Sequence, residues 1–310
     1  MVDKKIRFII STGSGRGDNY TKLLKQIEEA FAGLAQPDIK LTETADDITE
    51  YSQEWAELYG EDGIVYICGG DGATSEAANA LYNTDTYLGV IPRGTNNDFA
   101  KTLYGKKLNR SNVFEKIIQA TPNPRLDKID LIKVNDHVSI NVVSLGYDTV
   151  VLEHAYAHLR RMKRLYSRAY PLAVLETLFI DKSHPLKYHF IDKEGKTVSG
   201  TEDAIISVIA NGKYYGSGFN PAPEAEIDDG LGNFLIAGQM PIWKLVPLIL
   251  KYARGRHIGN PNIHHFEFTK GYIETVDGSN IKGNYDGIIF ETNRLEIEML
   301  PKVLNFAYID

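Results

Sequence analysis

The chain has a single cysteine, Cys68, among 310 residues. No disulfide can close within it, and a reducing compartment is the expected setting. Cys68 ends an apolar run and reads as a small buried hydrophobe, not a nucleophile. No uninterrupted apolar stretch approaches the roughly 20 residues of a membrane-spanning helix. The apolar part of the opening "MVDKKIRFIISTGSG" is too short for a secretory signal. Basic charge is not in excess either: 34 Lys and Arg against 41 Asp and Glu give a formal net charge of -7, which argues against a general nucleic-acid binder. There is no internal repeat and no low-complexity tract. The eight histidines form no metal-ligand pattern, since the adjacent His264 and His265 would point to opposite faces of a strand. No Ser-His-Asp arrangement stands out. The expectation is a cytoplasmic protein whose membrane contact, if any, is peripheral at the inner face, and which is long enough for two domains, each with its own core.

Glycine is plentiful, and its placement follows a rhythm. "KIRFII" runs into "STGSGRGDN" and then "YTKLLKQIEEAF"; "IVYIC" into "GGDG" and "ATSEAANALY"; "YLGVI" into "PRGTNND" and "FAKTLYG". Continuous apolar runs alternating with helical periodicity predict βα units and a mostly parallel sheet covered on both faces. Ligands of such sheets gather at the carboxyl ends of the strands, where the three loops belong. "QATPNPRLDK" marks a boundary. Beyond it the pattern is alternating and turn-punctuated, with Asn135-Asp136 and Glu194-Gly195 at hairpin positions and helical segments near 150–180 and 241–254. The predicted fold is therefore α/β over residues 1–125 and a largely antiparallel β domain over 126–299.

The loops carry the candidate chemistry. Gly13, Gly15 and Gly17 fit neither the dinucleotide fingerprint nor a Walker A loop. Gly69, Gly70 and Gly72 surround Asp71, with Glu76 one turn into the next helix; these glycines would allow backbone conformations closed to other residues and close approach of a ligand. An acid beside phosphate-binding amides should repel phosphate unless it carries a cation or a hydroxyl, although it could also bond the backbone locally. Asp98 follows Gly94, Thr95, Asn96 and Asn97, of which Thr95 or Asn97 could cap the helix that Asp98 begins. Two acids at the ends of neighbouring strands, each beside glycine-lined amides, favour a cation-assisted nucleotide phosphate site.

"GGDG" at Gly69–Gly72, "PRGTNNDFA" at Pro92–Ala100 and "NGKYYGSGFNPAPEAEIDDGL" at Asn211–Leu231, with "IDLIKVN" and "INVVSLGYD" between the last two, occur in the order of the diacylglycerol kinase catalytic family. The chain resembles that family, which includes soluble bacterial lipid kinases and is similar to sphingosine kinases and, more distantly, NAD kinases. The resemblance covers essentially the whole chain. It implies a nucleotide-binding α/β domain, a C-terminal β-sandwich, an active site in the cleft between them, and a last strand near 300–310 that returns to the first domain. It implies nucleotide contacts at Ser11, Thr12, Gly13, Ser14, Gly15, Thr44, Gly70, Asp71, Gly72, Ala73, Thr74, Ser75, Glu76 and Thr95. Catalytic roles would fall to Asp71 and Asp98, with a magnesium site at Asp229 and the main-chain carbonyls of Glu226 and Leu231.

The implied activity is transfer of the γ-phosphoryl group of ATP, with magnesium, to a lipid hydroxyl, diacylglycerol giving phosphatidic acid. Departures from the family pattern leave a second reading open. Ala73 and Ser75 replace a Thr and an Asn, and Ser11 and Thr12 replace Asn-Pro. In "NYDGIIF" Ile288 stands where the family has the Glu proposed as general base; aligning on "VDGSN" instead offers Ser279, and Glu291 would face away from Ile288 in a strand. A nucleotide- and metal-binding homologue without strong catalysis is the alternative, and a kinase for a soluble acceptor such as NAD a third. "HLRRMKRLYSRAYPL" carries Arg160, Arg161, Lys163, Arg164 and Arg168 without an acid, as a basic amphipathic helix on an anionic membrane or a solvated face would, with Pro171 ending or kinking it. Pairing of β edges leaves a homodimer open.

Overall fold

A computed structural model describes residues 4–13, 20–44, 46–106, 108, 111–162, 165, 168–177 and 183–309. The chain divides into two compact units, one of residues up to 129 together with those from 302, the other of residues 130–301.

In the first unit β1 (Lys5–Ile10), α1 (Thr21–Ala30), β2 (Asp38–Leu41), α2 (Asp47–Tyr59), β3 (Gly63–Gly69), α3 (Asp71–Leu81), β4 (Tyr87–Pro92), α4 (Asp98–Tyr104) and α5 (Ser111–Ala120) follow one another. The strands are parallel in the order β2-β1-β3-β4. β3 is buried throughout, as its unbroken apolar run requires when helices cover both faces of a sheet. Tyr66 of β3 lies opposite Gly89 of β4, where a Cβ would stand 2.3 Å from the ring, and its hydroxyl donates to the Thr121 carbonyl. Arg7 is buried on β1 but not orphaned: it pairs with Asp38 and Glu54, both at 2.5 Å, and stacks on Trp55.

The second unit contains the second half of β5 (Arg125–Val134), then β6 (His137–Ser139), β7 (Val142–Gly146), α6 (Tyr147–Arg161), α7 (Ala169–Thr177), β8 (His184–Asp192), β9 (Thr197–Ala210), β10 (Gly232–Gly238), α8 (Ile242–Tyr252), β11 (Ile263–Thr275), β12 (Ile281–Tyr285), β13 (Ile288–Thr292) and the first part of β14 (Arg294–Tyr308). Its strands pair antiparallel in the order β13-β12-β7-β9-β10-β11, and β8 joins β9 to β11. The long β9 pairs with β8 along Thr197–Ala204 and with β7 and β10 further on, and this exchange of partners surrounds an aromatic core of Tyr188, Phe190, Phe234 and Phe268. Glycines opposite aromatics recur: Gly200 faces Tyr188, Gly271 faces Phe190 and Gly232 faces Phe268, each with a hypothetical Cβ 2.3–2.5 Å from the facing residue. β14 shows both environments in one strand. Burial alternates over Arg294–Met299, as on a half-covered antiparallel sheet, then is continuous over Leu304–Ala307, where Phe306 pairs in parallel with Leu88 of β4.

Both predicted hairpin turns form, with Asn135 (φ 49) and Gly195 (φ 80) in the left-handed region. The basic segment from His158 to Leu172 is not the single helix expected. α6 stops at Arg161, and Pro171 occupies the first turn of α7, where its missing N–H breaks no helical bond. Lys163 and Arg164 lie outside the described residues. Among the described residues no helix is long and apolar enough to cross a membrane.

The turn joining β12 to β13 organises this unit. Asp286 (φ 48) and Gly287 (φ 91) make it, and the Asp286 carboxylate accepts from the Ser139 hydroxyl and from the amides of Ile140, Asn141 and Val142 at 2.9–3.1 Å. Asp286→Ala should strand those donors and lower unfolding stability by about 2–4 kcal/mol, measured by urea denaturation. Asp286→Asn, which keeps an acceptor and tolerates the left-handed backbone, should cost less than half as much.

Candidate active site

Parallel register brings the loops of the first unit to one edge. Ile10 lies opposite Leu41 and Cys68, and Gly69 opposite Pro92, so the chain leaves β1, β2, β3 and β4 at a common level. A cleft of about 340 Å³ opens there, lined by Ser11, Thr12, Gly13, Thr42, Glu43, Thr44, Ile48, Ala73 and Glu76. Six of the expected nucleotide-contact residues thus share one concavity; Ser14 and Gly15 lie outside the described residues. The rim is held by hydrogen bonds. Thr12 donates its hydroxyl to the Thr42 carbonyl at 2.7 Å, and its amide to the Thr42 hydroxyl at 3.2 Å. Asp47, at the start of α2, accepts from the amides of Glu43 and Thr44 and from the Thr44 hydroxyl, which holds its carboxyl below the usual carboxylate range. Glu76 accepts from Thr49, and burial pushes its pKa up.

The remaining loop residues are arranged differently. Gly70 (φ -97) and Gly72, inside α3, need no glycine-only conformation, contrary to expectation. At Gly70 the reason for glycine is space: a Cβ on Gly94 would stand 2.3 Å from the Gly70 Cα, and one on Gly70 3.1 Å from the Gly94 Cα, whereas one on Gly72 would meet nothing within 4 Å. Thr74 and Ser75 are buried, with the Thr74 hydroxyl on the Gly70 carbonyl. Neither Thr95 nor Asn97 gives α4 a side-chain cap. Asn97 occupies the N-cap position in the left-handed region, and its amide closes on Gly94, accepting from the N–H at 2.7 Å and donating to the carbonyl at 2.9 Å. Thr95 is exposed.

The glycine contact brings Asp71, the first residue of α3, to α4, where it accepts from the Phe99 amide at 3.1 Å. Burial, and then the charge of Asp98, raise its pKa to about 7. The buried Asp98 meets Lys101 at 2.6 Å. Asp71 therefore reaches out of its own turn, and its carboxyl is held above the usual carboxylate range.

In the second unit Asp229 is exposed, and its carboxylate accepts from the Leu231 amide at 3.0 Å. Buried Asp130 accepts from Gly230 at 2.6 Å. Partial desolvation of its carboxyl by the surrounding loop, then the charges of Asp130, Glu267 and Glu226, raise the Asp229 pKa. Among the described residues no group of three or more His, Cys, Asp or Glu converges as a metal cluster. One carboxylate and main-chain carbonyls, all oxygen, fit a hard cation that keeps several of its waters. Ile288 opens β13 with its side chain 47% exposed, directly after the Asp286-Gly287 turn.

One acid escaped the sequence reading. Asp148 follows β7 in "SLGYD", the same order of apolar strand, glycine and acid that made Asp71 conspicuous. It is buried beside an apolar cavity of about 70 Å³, lined among others by Val151, Tyr170, Leu245, Leu248 and Tyr252. Burial raises its pKa to about 7, against hydrogen bonds from Ser144 and the Thr149 amide that act to lower it. The Tyr252 hydroxyl donates to Tyr215 at the cavity wall.

The family model of the diacylglycerol kinase catalytic domain matches residues 5–134, and that of the YegS C-terminal NAD kinase beta sandwich-like domain matches residues 141–308, more than half of the chain. A Staphylococcus aureus protein named "Putative lipid kinase" is 28% identical over 286 residues, which cover 88% of this chain and 86% of its own. A Staphylococcus epidermidis protein of the same name is 28% identical over 280 residues, covering 86% and 84%. Two solved Bacillus anthracis structures share the fold. One, described as a diacylglycerol kinase, has a TM-score of 0.69 at 22% identity and covers 98% of this chain and 97% of its own. The other, described as a putative diacylglycerol kinase, has a TM-score of 0.77 at 23% identity, covering 99% and 98%. These findings bear out the resemblance and the two-part fold.

Asp71 makes stability depend on pH. The unfolded chain ionises it near 3.8 and the folded chain near 7, so the folded state loses stability as pH rises through that window, and the whole penalty stands above it. Asp71→Asn keeps an acceptor for Phe99 and removes the charge. It should raise the melting temperature at pH 8 by on the order of 3 °C and leave it unchanged at pH 4, as checked by calorimetry at both values.

Proposed function

The chain belongs to the diacylglycerol kinase family of lipid kinases, and from that premise we propose that it transfers the γ-phosphoryl group of ATP to a lipid hydroxyl, diacylglycerol giving phosphatidic acid. The observation that carries the proposal is Asp71, a carboxyl poised near pH 7 at the edge that also bears the cleft of Ser11, Thr12, Thr44 and Glu76. A base is most effective when its pKa lies near the working pH. In this reading the lipid hydroxyl oxygen forms the new bond to the γ-phosphorus, the bond to the β–γ bridging oxygen breaks, ADP leaves, and Asp71 takes the hydroxyl proton. Asp98 raises the Asp71 pKa, and Lys101, paired with Asp98 at 2.6 Å, acts in the opposite direction. A magnesium ion, held in part through Asp229 with the carbonyls of Glu226 and Leu231, would supply charge neutralisation for the phosphates. The apolar cavity beside Asp148 supports a lipid acceptor. Its 70 Å³ is the room of about two water molecules, so acyl chains would have to spread its helical wall.

Ile288 favours a second reading, a nucleotide-binding homologue that has lost its chemistry, because an isoleucine accepts no proton. The two readings part on one experiment: ATP turnover on mixed micelles of diacylglycerol with magnesium, alongside nucleotide binding. With Asp71 as base, the parent turns over, Asp71→Ala loses about 10²–10⁴-fold in kcat while still binding nucleotide, and Ile288→Glu stays close to the parent. The acid limb of the parent's pH–rate profile should fall near 7. Nucleotide binding without turnover in the parent, with phosphorylation gained in Ile288→Glu, would instead establish the second reading.

A further inference from the structure

α8 shows two apolar faces where a surface helix normally shows one. Leu245, Leu248, Ile249 and Tyr252 turn inward and line the cavity beside Asp148. Ile242, Trp243, Val246 and Leu250, spaced so that they share one arc of the helix, are exposed, Trp243 by 71% and Leu250 by 54%. α7 and α8 give Tyr170, Ala173 and Leu245 to one buried cluster, and α7 carries exposed Leu172 and Leu175.

The charge around this patch runs against that of the chain as a whole. Within a protein of net charge -7, the stretch from Met240 to Asn262 contains Lys244, Lys251, Arg254 and Arg256, all exposed, and no Asp or Glu. Lys244 lies over the Trp243 ring at 5.2 Å. An exposed tryptophan among aliphatics, flanked by cations, is the composition of a helix resting in the headgroup region of an anionic bilayer. Two features place such a helix at the interface and not across the membrane. Its 11 residues reach about 16 Å, against roughly 30 Å of hydrocarbon. Pro247 has no N–H to give the Trp243 carbonyl, and that free acceptor is tolerated among headgroups and costly among acyl chains.

We propose that the outer face of α8, extended by Leu172 and Leu175 of α7, is the surface by which this protein docks on an anionic lipid bilayer, with the helix lying in the interface. The inference rests on the lipid-kinase reading for its purpose. It gives the acceptor a short route, since the residues that meet the bilayer and those that line the apolar cavity are neighbours on the same helix.

The test uses the full chain and vesicles of phosphatidylcholine, alone or mixed equally with phosphatidylglycerol. The chain's two tryptophans are Trp55, which is buried, and Trp243. Emission should shift to the blue on mixed vesicles and be quenched by brominated acyl chains, and both effects should vanish in Trp243→Phe. The double variant Val246→Asp, Leu250→Asp should keep the parental melting temperature, lose about tenfold or more in co-sedimentation, and lose turnover on vesicular diacylglycerol while keeping it on a monomeric short-chain diacylglycerol. Lys244→Glu with Lys251→Glu should abolish the preference for phosphatidylglycerol. Vesicle binding by the double variant equal to the parent's overturns the proposal. So does a parental dimer that the double variant converts to monomers without lipid, because the face would then be a self-interface. A parent that binds vesicles through α8 but phosphorylates nothing keeps the docking face and sinks the kinase reading.

Discussion

Gly70 and Gly94 meet backbone to backbone at the ends of neighbouring parallel strands, with a hypothetical Cβ on Gly94 only 2.3 Å from the Gly70 Cα. Any side chain at Gly94 would push the two loops apart. Because they touch, the Gly94 amide reaches the Gly69 carbonyl at 3.1 Å and Asn97 can close on Gly94. The start of α4 is thereby fixed beside the start of α3, and the Phe99 amide is aimed at Asp71. The raised pKa of Asp71 is thus a consequence of packing: the contact that brings it a hydrogen bond also brings it the charge of Asp98 and desolvates its carboxyl.

The second unit is built on an equally steric rule. Its core aromatics are too large to stack in register across adjacent strands, and three of them face glycine on the neighbouring strand. Gly89 opposite Tyr66 shows the same rule in the parallel sheet of the first unit. Such pairing fixes register, since a slip of one residue would set an aromatic against a Cβ. Asp286 fixes the other end of the problem, tying the β12–β13 turn to the chain entering β7.

What the sequence made legible was whatever depends on neighbours along the chain. Continuous apolar runs gave the parallel strands, alternation gave the antiparallel ones, and Asn135 and Gly195 marked turns because left-handed backbone is a local demand. What depends on partners distant in sequence was misread or missed. Gly70 reads locally as backbone freedom and room for a ligand, and only the fold shows Gly94 against it. Thr95 and Asn97 both read as caps of α4, but the Asn97 side-chain oxygen is engaged by the Gly94 amide instead. The helix expected through His158–Leu172 is divided into α6 and α7. Asp148 carries a local signal, an acid following glycine at the end of an apolar strand, but its burial beside a cavity lined by Tyr170, Leu245 and Tyr252 depends on residues far along the chain.

The acid in the glycine-rich turn between β3 and α3 is held by opposing forces. At the first position of α3 the helix dipole favours an ionised carboxylate by at most about 2 kcal/mol, and the Phe99 amide acts in the same direction. Burial and Asp98 act in the other, and they win, since the pKa moves up from 3.8 to about 7. Burial and a neighbouring charge thus outweigh both the helix dipole and a direct hydrogen bond, so the Gly70–Gly94 contact, by setting what surrounds Asp71, decides which form of its carboxyl the fold favours, and the position of Asp71 on its own helix does not.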